Sequence, residues 1–144
     1  MPAEQNKAAL RRIYEEVFNK GNLAVVDEVV TAEWIYRGAG GMELKGPAGF
    51  KEFVKTYRAA FPDLHLTAED MVAEGEKVAH RITFRGTNTG EFMGMPPTGK
   101  QITVGVATIS HFVGGREAET WQFADTASMY EQLGVARPMG QPKK

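Results

Sequence analysis

The chain has 144 residues, of which 42% are hydrophobic and 24% charged, and these proportions are ordinary for one globular domain with a real core. Its 17 basic and 18 acidic residues are mixed along the sequence and leave a formal net charge of −1. This balance argues against nucleic acid or an anionic membrane as the main partner, because both need a concentrated basic face.

Metal-ligating residues are scarce. The sequence has no cysteine, which excludes disulfides and thiolate sites, and it has three histidines, His65, His80 and His111. No pair of them has a zinc-ligand spacing such as H-E-x-x-H, so we expect neither a metal nor another cofactor. The first residues carry no apolar signal segment, and no run approaches the roughly 18 apolar residues of a membrane span. We therefore predict a cytoplasmic protein.

The first part of the chain has the spacing of helices. Apolar side chains recur every three to four residues over Pro2–Lys20, which predicts a helix that ends at Gly21. Asn22 is placed to cap a second, shorter helix that reaches Val30. A short strand over Glu33–Arg37 is expected next, followed by a glycine-rich loop.

A third helix and two strands are predicted in the middle of the chain. Pro47 suits a first helical turn, where its missing N–H is not needed, and the helix should end at Phe61 because a proline follows. Apolar residues then alternate with period two, which predicts strands over Leu64–Glu74 and Lys77–Arg85. Gly86–Gly99 is rich in glycine, proline and threonine and is expected to form a loop.

The clearest local pattern is a β-hairpin. A Gly-Gly pair separates the runs Gln101–Val113 and Arg116–Ala124, and two glycines can take the positive φ angles of a tight turn. A short helix that closes at Gly134 should follow, and residues 135–144 are expected to form a frayed tail.

One face of this hairpin has a mixed character. Alternating residues of the outgoing strand share a face that is first apolar and then bears hydroxyl groups: Ile102, Val104, Val106, Thr108, Ser110 and Phe112. On the return strand Thr120, Gln122 and Ala124 point one way, whereas Trp121 and Phe123 point the other. An apolar face dotted with Thr, Ser and Gln is typical of a small-molecule cavity.

The order of elements predicts the fold class. Three helices precede four strands of a mostly antiparallel meander, and one helix closes the chain, which is an α+β arrangement. A curved antiparallel sheet wrapped around the helices would form a cone with an interior pocket. We expect a single domain over residues 1–144, with its core at about 7–134.

Five motifs, in order, resemble a known family over nearly the whole chain. They are Glu15–Asn22 (EEVFNKGN), Phe61–Leu64 (FPDL), Gly86–Gly90 (GTNTG), Met95–Lys100 (MPPTGK) and Trp121–Asp125 together with Glu131–Gly134. The pattern is similar to that of the SnoaL-like polyketide cyclases of the nuclear transport factor two-like superfamily. The resemblance implies a cystatin-like α+β barrel with an interior small-molecule pocket, a homodimer, and cofactor-free aldol closure of an aromatic polyketide ester.

The resemblance also implies an aspartate as acid/base with a histidine nearby. Aligned on the flanking motifs, these two positions fall on Gln122 and Thr108 in this chain. A glutamine can donate or accept a hydrogen bond to an enolate, but it cannot exchange a proton near neutral pH. Within the GTNTG motif, Asn88 stands where many relatives carry histidine.

Two other titratable residues are candidates for acid/base roles. His80 lies in the inward row of its strand and is either a general base or a core histidine satisfied by a backbone or hydroxyl partner. As a base it should give activity an apparent pKa of about 6 to 7 that vanishes in His80→Gln. Asp125 either acts as acid/base or caps the last helix, which would hold its pKa low. His65 is expected at the surface, and His111 at the surface or a subunit contact.

Five aromatic residues are candidate ligand contacts: Tyr14, Trp34, Tyr36, Phe61 and Trp121. The two tryptophans would form walls, and Tyr36 would donate a hydrogen bond to an oxyanion. Aromatic residues at this spacing also serve as plain core. Tyr14 and Tyr36 are the better ligand candidates, because a buried phenol needs a partner.

Three functions remain open at this point. The first is a cofactor-free enzyme for cyclisation, isomerisation or hydrolysis of an apolar, oxygen-bearing substrate. The second is a small-ligand-binding protein that keeps the pocket but lacks the acid/base pair. The third is a dimerisation module whose cavity is filled by aromatic side chains.

Overall fold

The computed structural model describes residues 2–38, 41–92 and 94–135. The helices are α1 (Pro2–Arg12), which continues as a π-helical turn (Ile13–Phe18), a 3-10 turn (Leu23–Val25), α2 (Val26–Val29), α3 (Gly46–Ala60) and α4 (Thr126–Leu133). The strands are β1 (Val30–Arg37), β2 (Glu43–Lys45), β3 (His65–Glu74), β4 (Lys77–Thr87), β5 (Gln101–Val113) and β6 (Arg116–Ala124).

One curved, unclosed sheet contains all six strands in the order β2-β1-β6-β5-β4-β3. The four strands β3 to β6 form the antiparallel meander that the sequence predicts, and the hairpin strands β5 and β6 have the predicted bounds. Two features differ. Strand β1 extends the sheet by pairing parallel to β6, and β2, which was not predicted, pairs with β1. Three residues are too few to show a period of two.

The N-terminal helix follows the predicted extent but changes its winding. Its last turns are π-helical, and the N–H of Asn19 donates to the carbonyl oxygen of Tyr14 at 2.9 Å. Such turns are rare and are frequently found at functional sites. The prediction that Asn22 caps a second helix is wrong, because its side chain makes no capping hydrogen bond and a 3-10 turn follows.

Helix α3 lies against the inner face of the sheet near β1. Pro47 lies in its first turn and Phe61 ends it, as predicted. The rings of Trp34 on β1 and Phe50 on α3 stack with centroids 4.7 Å apart. The stack fixes the helix across the sheet and leaves a space between them.

The loop that follows β4 is tied to the end of α3 by Asn88, which is buried. The Asn88 side-chain amide donates to the carbonyl oxygen of Gly90 at 2.8 Å, and its oxygen accepts from the N–H and hydroxyl of Thr98, both at 3.0 Å. At Gly90 an added Cβ would lie 2.0 Å from the carbonyl oxygen of Ala59. Asn88 therefore holds a loop, and the GTNTG motif supports the architecture here.

Helix α4 closes the chain. The N–H of Ser128 donates to Oδ1 of Asp125 at 3.1 Å, which makes Asp125 the N-cap. Gly134 ends the helix in the left-handed conformation with φ 74°. Apart from Val135, the predicted tail over 135–144 lies outside the described residues.

Candidate functional site

A cavity of about 120 Å³ lies between the inner face of the sheet and the helices that cover it. Most of its wall is apolar: Leu10, Ile13, Phe18, Trp34, Phe50, Phe53, Leu66, Ile82, Phe84, Val104, Val106, Ala124 and Met129. Polar side chains also line it: Tyr14, Tyr36, Tyr57, His80, Thr108, Glu117, Thr120, Gln122 and Thr126. An apolar wall with a few polar groups is the usual form of a small-molecule site.

Three of the candidates from the sequence form one row across this wall. His80 on β4 pairs with Thr108 on β5, and Thr108 pairs with Gln122 on β6. Side chains at directly paired positions lie about 5 Å apart at Cβ and point to the same face of the sheet. The antiparallel meander therefore brings together residues that are more than 40 positions apart in the chain.

His80 has a partner at each ring nitrogen. Its Nδ1 is hydrogen-bonded to the hydroxyl of Tyr14, and its Nε2 lies 2.9 Å from Oγ of Ser110. Burial lowers the pKa of His80 to about 4, because the interior disfavours the charged imidazolium. The imidazole is therefore neutral at pH 7, and a titration near pH 6 to 7 cannot be assigned to it. His80 is thus held by hydroxyl partners and also faces the cavity.

Tyr14 reaches the cavity from the π-helical turn and is buried. Burial, reinforced by the negative charge of Glu117, raises the pKa of the Tyr14 phenol well above its ordinary value. The phenol is therefore a neutral donor and acceptor at pH 7.

Glu117 is the site residue that sequence reasoning missed. Strict alternation places it on the outer face with Glu119 and Trp121, but the register of β6 shifts between its pairs with His111 and Phe112. This β-bulge turns Glu117 to the inner face, where it pairs with the inward Phe112 and is 4% exposed. The sequence offered one signal, a carboxylate in an apolar-rich hairpin. The bulge, which the sequence does not reveal, decides that this carboxylate points into the cavity.

The Glu117 carboxyl group has two strong partners. Oε1 accepts from the indole N–H of Trp34 at 2.9 Å, and Oε2 lies 2.6 Å from Oγ of Ser110. Burial raises the pKa of Glu117, and these two hydrogen bonds oppose part of that rise. Ser110 Oγ also lies 3.2 Å from Oγ1 of Thr120. Glu117, Ser110, His80 and Tyr14 thus form a continuous chain of hydrogen bonds.

The aromatic candidates divide into two groups. Tyr14, Trp34 and Tyr36 line the cavity, and burial raises the pKa of Tyr36. Phe61 is fully buried among Tyr57, Phe84 and Phe92 and does not line the cavity, so its contact with a ligand stays a prediction from the sequence.

Trp121 and Asp125 also lie away from the cavity wall. Trp121 is on the outer face of the sheet, where the guanidinium of Arg37 lies 5.8 Å from its ring centroid. The bulge leaves the alternation after Glu119 unchanged, so Trp121 points outward, and its role as a wall stays a prediction from the sequence. Asp125 is exposed at the helix cap, which is the structural role that the sequence left open for it.

The other two histidines lie apart from this site. His65 is exposed and contacts Thr67, and His111 is partly buried beside Glu76, with Nε2 3.4 Å from its carboxylate. Across residues 2–38, 41–92 and 94–135, no group of three or more His, Asp or Glu could hold a metal ion. Within the same ranges, no helix combines the length and apolarity that crossing a membrane requires.

Comparison with known proteins agrees with this architecture. The family model described as SnoaL-like polyketide cyclase matches residues 8–133. An aklanonic acid methyl ester cyclase of Streptomyces galilaeus is 30% identical over 135 residues, which cover 91% of this chain and 92% of the relative. The corresponding cyclase of Streptomyces peucetius is 28% identical over 126 residues, covering 85% of this chain and 87% of the relative.

Solved structures share the fold over nearly the whole length. Wild-type IdmH from Streptomyces antibioticus superposes with a TM-score of 0.79 at 31% identity, covering 91% of this chain and 99% of that one. A SnoaL-like protein from Jannaschia sp. CCS1 gives a TM-score of 0.85 at 22% identity, covering 94% and 95% of the two chains. The chain described here belongs to the SnoaL-like polyketide cyclase family.

Proposed function

We propose that this protein is a cofactor-free enzyme that performs acid/base chemistry on a small, apolar, oxygen-bearing substrate in the cavity. The observation that carries the proposal is the hydrogen-bonded pair of Tyr14 and His80, buried in a largely apolar wall. Two neutral groups that both donate and accept protons, held away from water, suit enolisation of a carbon acid.

The substrate class follows from the wall and from the relatives. Thr108 and Gln122 offer hydrogen bonds to carbonyl or ester oxygens, while the aromatic side chains contact flat apolar surfaces. Curated relatives are aklanonic acid methyl ester cyclases. We therefore propose a polyketide-derived ketone or ester as substrate and ring closure through an enolate as the reaction.

In this scheme Gln122 does not act as the base. Its amide orients the substrate and supports the charge that develops on a carbonyl oxygen. Tyr14 exchanges the proton instead, with His80 as its partner inside the wall. The chemistry keeps the family's cavity and moves proton exchange to a different pair of side chains.

A deuterium-exchange assay tests this function. Aromatic β-keto esters would be incubated with the protein in D₂O, and exchange next to the carbonyl and ring closure would be followed by mass spectrometry. We expect wild-type protein to accelerate exchange and Tyr14→Phe to lose about 100-fold or more of that acceleration, the usual range for one acid/base group. Tyr130→Phe, a partly buried tyrosine of α4 outside the cavity wall, is the matched control. Equal exchange in wild type and Tyr14→Phe would contradict the proposal.

We also propose a homodimer that uses the outer face of the sheet. Phe123, Val72 and Ile109 are 65%, 69% and 44% exposed, and all lie on strands of this sheet. Apolar side chains on one such face commonly mark an interface. Light scattering should give twice the chain mass, and Phe123→Glu should give the monomer; a wild-type monomer would contradict the proposal. Cytoplasmic location stays a prediction from the sequence.

A further inference from the structure

The chain of hydrogen bonds behind Tyr14 ends on a carboxyl group that the proposed reaction has not yet used. We propose that Tyr14, His80, Ser110 and Glu117 form a proton relay in which Glu117 is the final acceptor of the proton that the substrate gives up at Tyr14. This inference rests on the proposed acid/base function and explains where the proton goes. Glu117 acts through Ser110 and His80 and is a positioning residue and proton store.

With Glu117 ionised, every donor in the chain points the same way. The Tyr14 hydroxyl donates to His80 Nδ1, His80 Nε2–H donates to Ser110 Oγ, and the Ser110 hydroxyl donates to Glu117 Oε2. Trp34 N–H fills Oε1 of the carboxylate. The Tyr14 oxygen then has a lone pair free for a proton from the cavity.

With Glu117 protonated, the same four groups are satisfied in the opposite direction. The Glu117 O–H donates to Ser110, the Ser110 hydroxyl donates to His80 Nε2, and His80 Nδ1–H donates to the Tyr14 oxygen. The Tyr14 hydroxyl hydrogen is released toward the cavity, where it can donate to an enolate. Trp34 N–H stays on Oε1 in both directions.

The step that joins the two arrangements balances. The substrate C–H bond breaks and its proton binds the Tyr14 oxygen, while the Tyr14 proton moves to His80 Nδ1. The Nε2 proton moves to Ser110, and the Ser110 proton moves to Glu117. The electron pair stays on the substrate as an enolate, so one negative charge has left Glu117 and appeared on the substrate. One proton moves from the substrate carbon to the Tyr14 oxygen, three protons each move across one hydrogen bond of the chain, and no other reactant is needed.

Burial of the four groups favours this proton transfer in two ways. Tyr14, His80, Ser110 and Glu117 are 6%, 5%, 0% and 4% exposed, so no bulk water competes for their hydrogen bonds. Burial raises the pKa of Glu117, which brings this carboxyl closer to a weak carbon acid in proton affinity. The other titratable groups that line the cavity with Glu117 are Tyr14, Tyr36, Tyr57 and His80, and all four are neutral at pH 7.

The tautomer of His80 reports the direction of the relay without any substrate. Nitrogen-15 NMR of histidine-labelled protein distinguishes Nε2–H from Nδ1–H in a neutral ring. We expect wild type to switch from Nδ1–H to Nε2–H as pH rises through the raised pKa of Glu117 and this carboxyl loses its proton. Since His80 is neutral above its own pKa of about 4, the switch is not its own ionisation.

Glu117→Gln is the matched variant. Its amide can accept from Trp34 and donate to Ser110, as protonated Glu117 does, so His80 should stay Nδ1–H at every pH. Ser110→Ala should also abolish the switch, because it removes the link. Glu119→Gln changes the same charge on the outer face, where Glu119 pairs with Arg37, and should leave the switch intact. A wild-type tautomer that does not change over the whole pH range in which the protein stays folded would overturn the relay.

Steady-state kinetics provide a second, independent test of the relay. Glu117→Gln should lower kcat about 100-fold with KM changed less than about threefold, since the variant keeps the Tyr14 donor but has no acceptor for the proton. Unchanged kcat would overturn the relay. An absence of turnover in wild type with a clear tautomer switch would refute the proposed function, whereas the coupling of Glu117 to His80 through Ser110 would stand.

Discussion

The two ends of strand β6 contribute to the same cavity in different ways. Near its start, Glu117 is 4% exposed and lies in a closed hydrogen-bonded chain with Ser110 and His80. Near its end, Gln122 is partly exposed and pairs with Thr108 in an open row. The buried end has groups with shifted pKa values, and the open end has groups that do not titrate. The contrast teaches that a cavity whose open end carries only uncharged polar groups can still hold titratable groups at its buried end.

The largest expected effect is a loss of activity, and it should differ between variants at the two ends of the cavity. His80→Phe removes both ring nitrogens and should lower kcat by about 100-fold to 10,000-fold, the usual contribution of an acid/base group. Gln122→Ala removes one substrate hydrogen bond and should cost less than about tenfold, mainly in KM. Steady-state kinetics on the substrate found by deuterium exchange would measure both. A larger loss in Gln122→Ala than in His80→Phe would reverse the comparison.

The pH dependence of folding tests whether His80, at the buried end, is kept neutral. Burial holds the pKa of His80 at about 4, below its ordinary 6.5, so the folded state binds fewer protons between these values. His80 therefore contributes to the free energy of unfolding above pH 6.5. This contribution decreases by at most about 3 kcal/mol as pH falls toward 4. Urea unfolding at pH 7 and pH 4.5 should measure this loss of stability.

His80→Gln is the control for this measurement. It should lose less stability than wild type across the same pH interval, because the group that must be kept neutral is gone. The raised pKa of Glu117 acts in the opposite direction, since its stabilising share is lost as pH rises, but both proteins contain it. Equal losses in wild type and His80→Gln would show that His80 is not held neutral by burial.

The smallest expected effect compares the two tryptophans. Trp34→Phe leaves Glu117 Oε1 without its donor and should cost about 2 kcal/mol, whereas Trp121→Phe on the outer face should change stability by about 0.5 kcal/mol or less. Losing the donor raises the pKa of Glu117 further. The cost of Trp34→Phe, measured by urea unfolding, should therefore grow as pH rises through the raised pKa of Glu117. A pH-independent cost would indicate lost packing alone.

Local sequence patterns predicted much of the fold. The Gly-Gly turn and the alternating residues of β5 and β6 fixed the hairpin bounds, and Pro47 and Phe61 marked the ends of α3, because these signals act within a few residues. Strand β2 escaped prediction because three residues are too few to show a period of two. The parallel pairing of β1 with β6 escaped it because pairing partners more than 80 residues apart leave no local pattern.

The sequence by itself determined which residue types could meet in the cavity. It placed His80 and Thr108 in inward rows, put an uncharged Gln122 beside them, and excluded any thiol. Only the tertiary structure decided which of them form a connected system. A one-residue bulge in β6 turned Glu117 inward, and a π-helical turn in the N-terminal helix placed Tyr14 on His80. The reason is physical: side-chain alternation is a local property of a strand, whereas a bulge and a hydrogen-bonded chain depend on partners that the fold brings from distant segments.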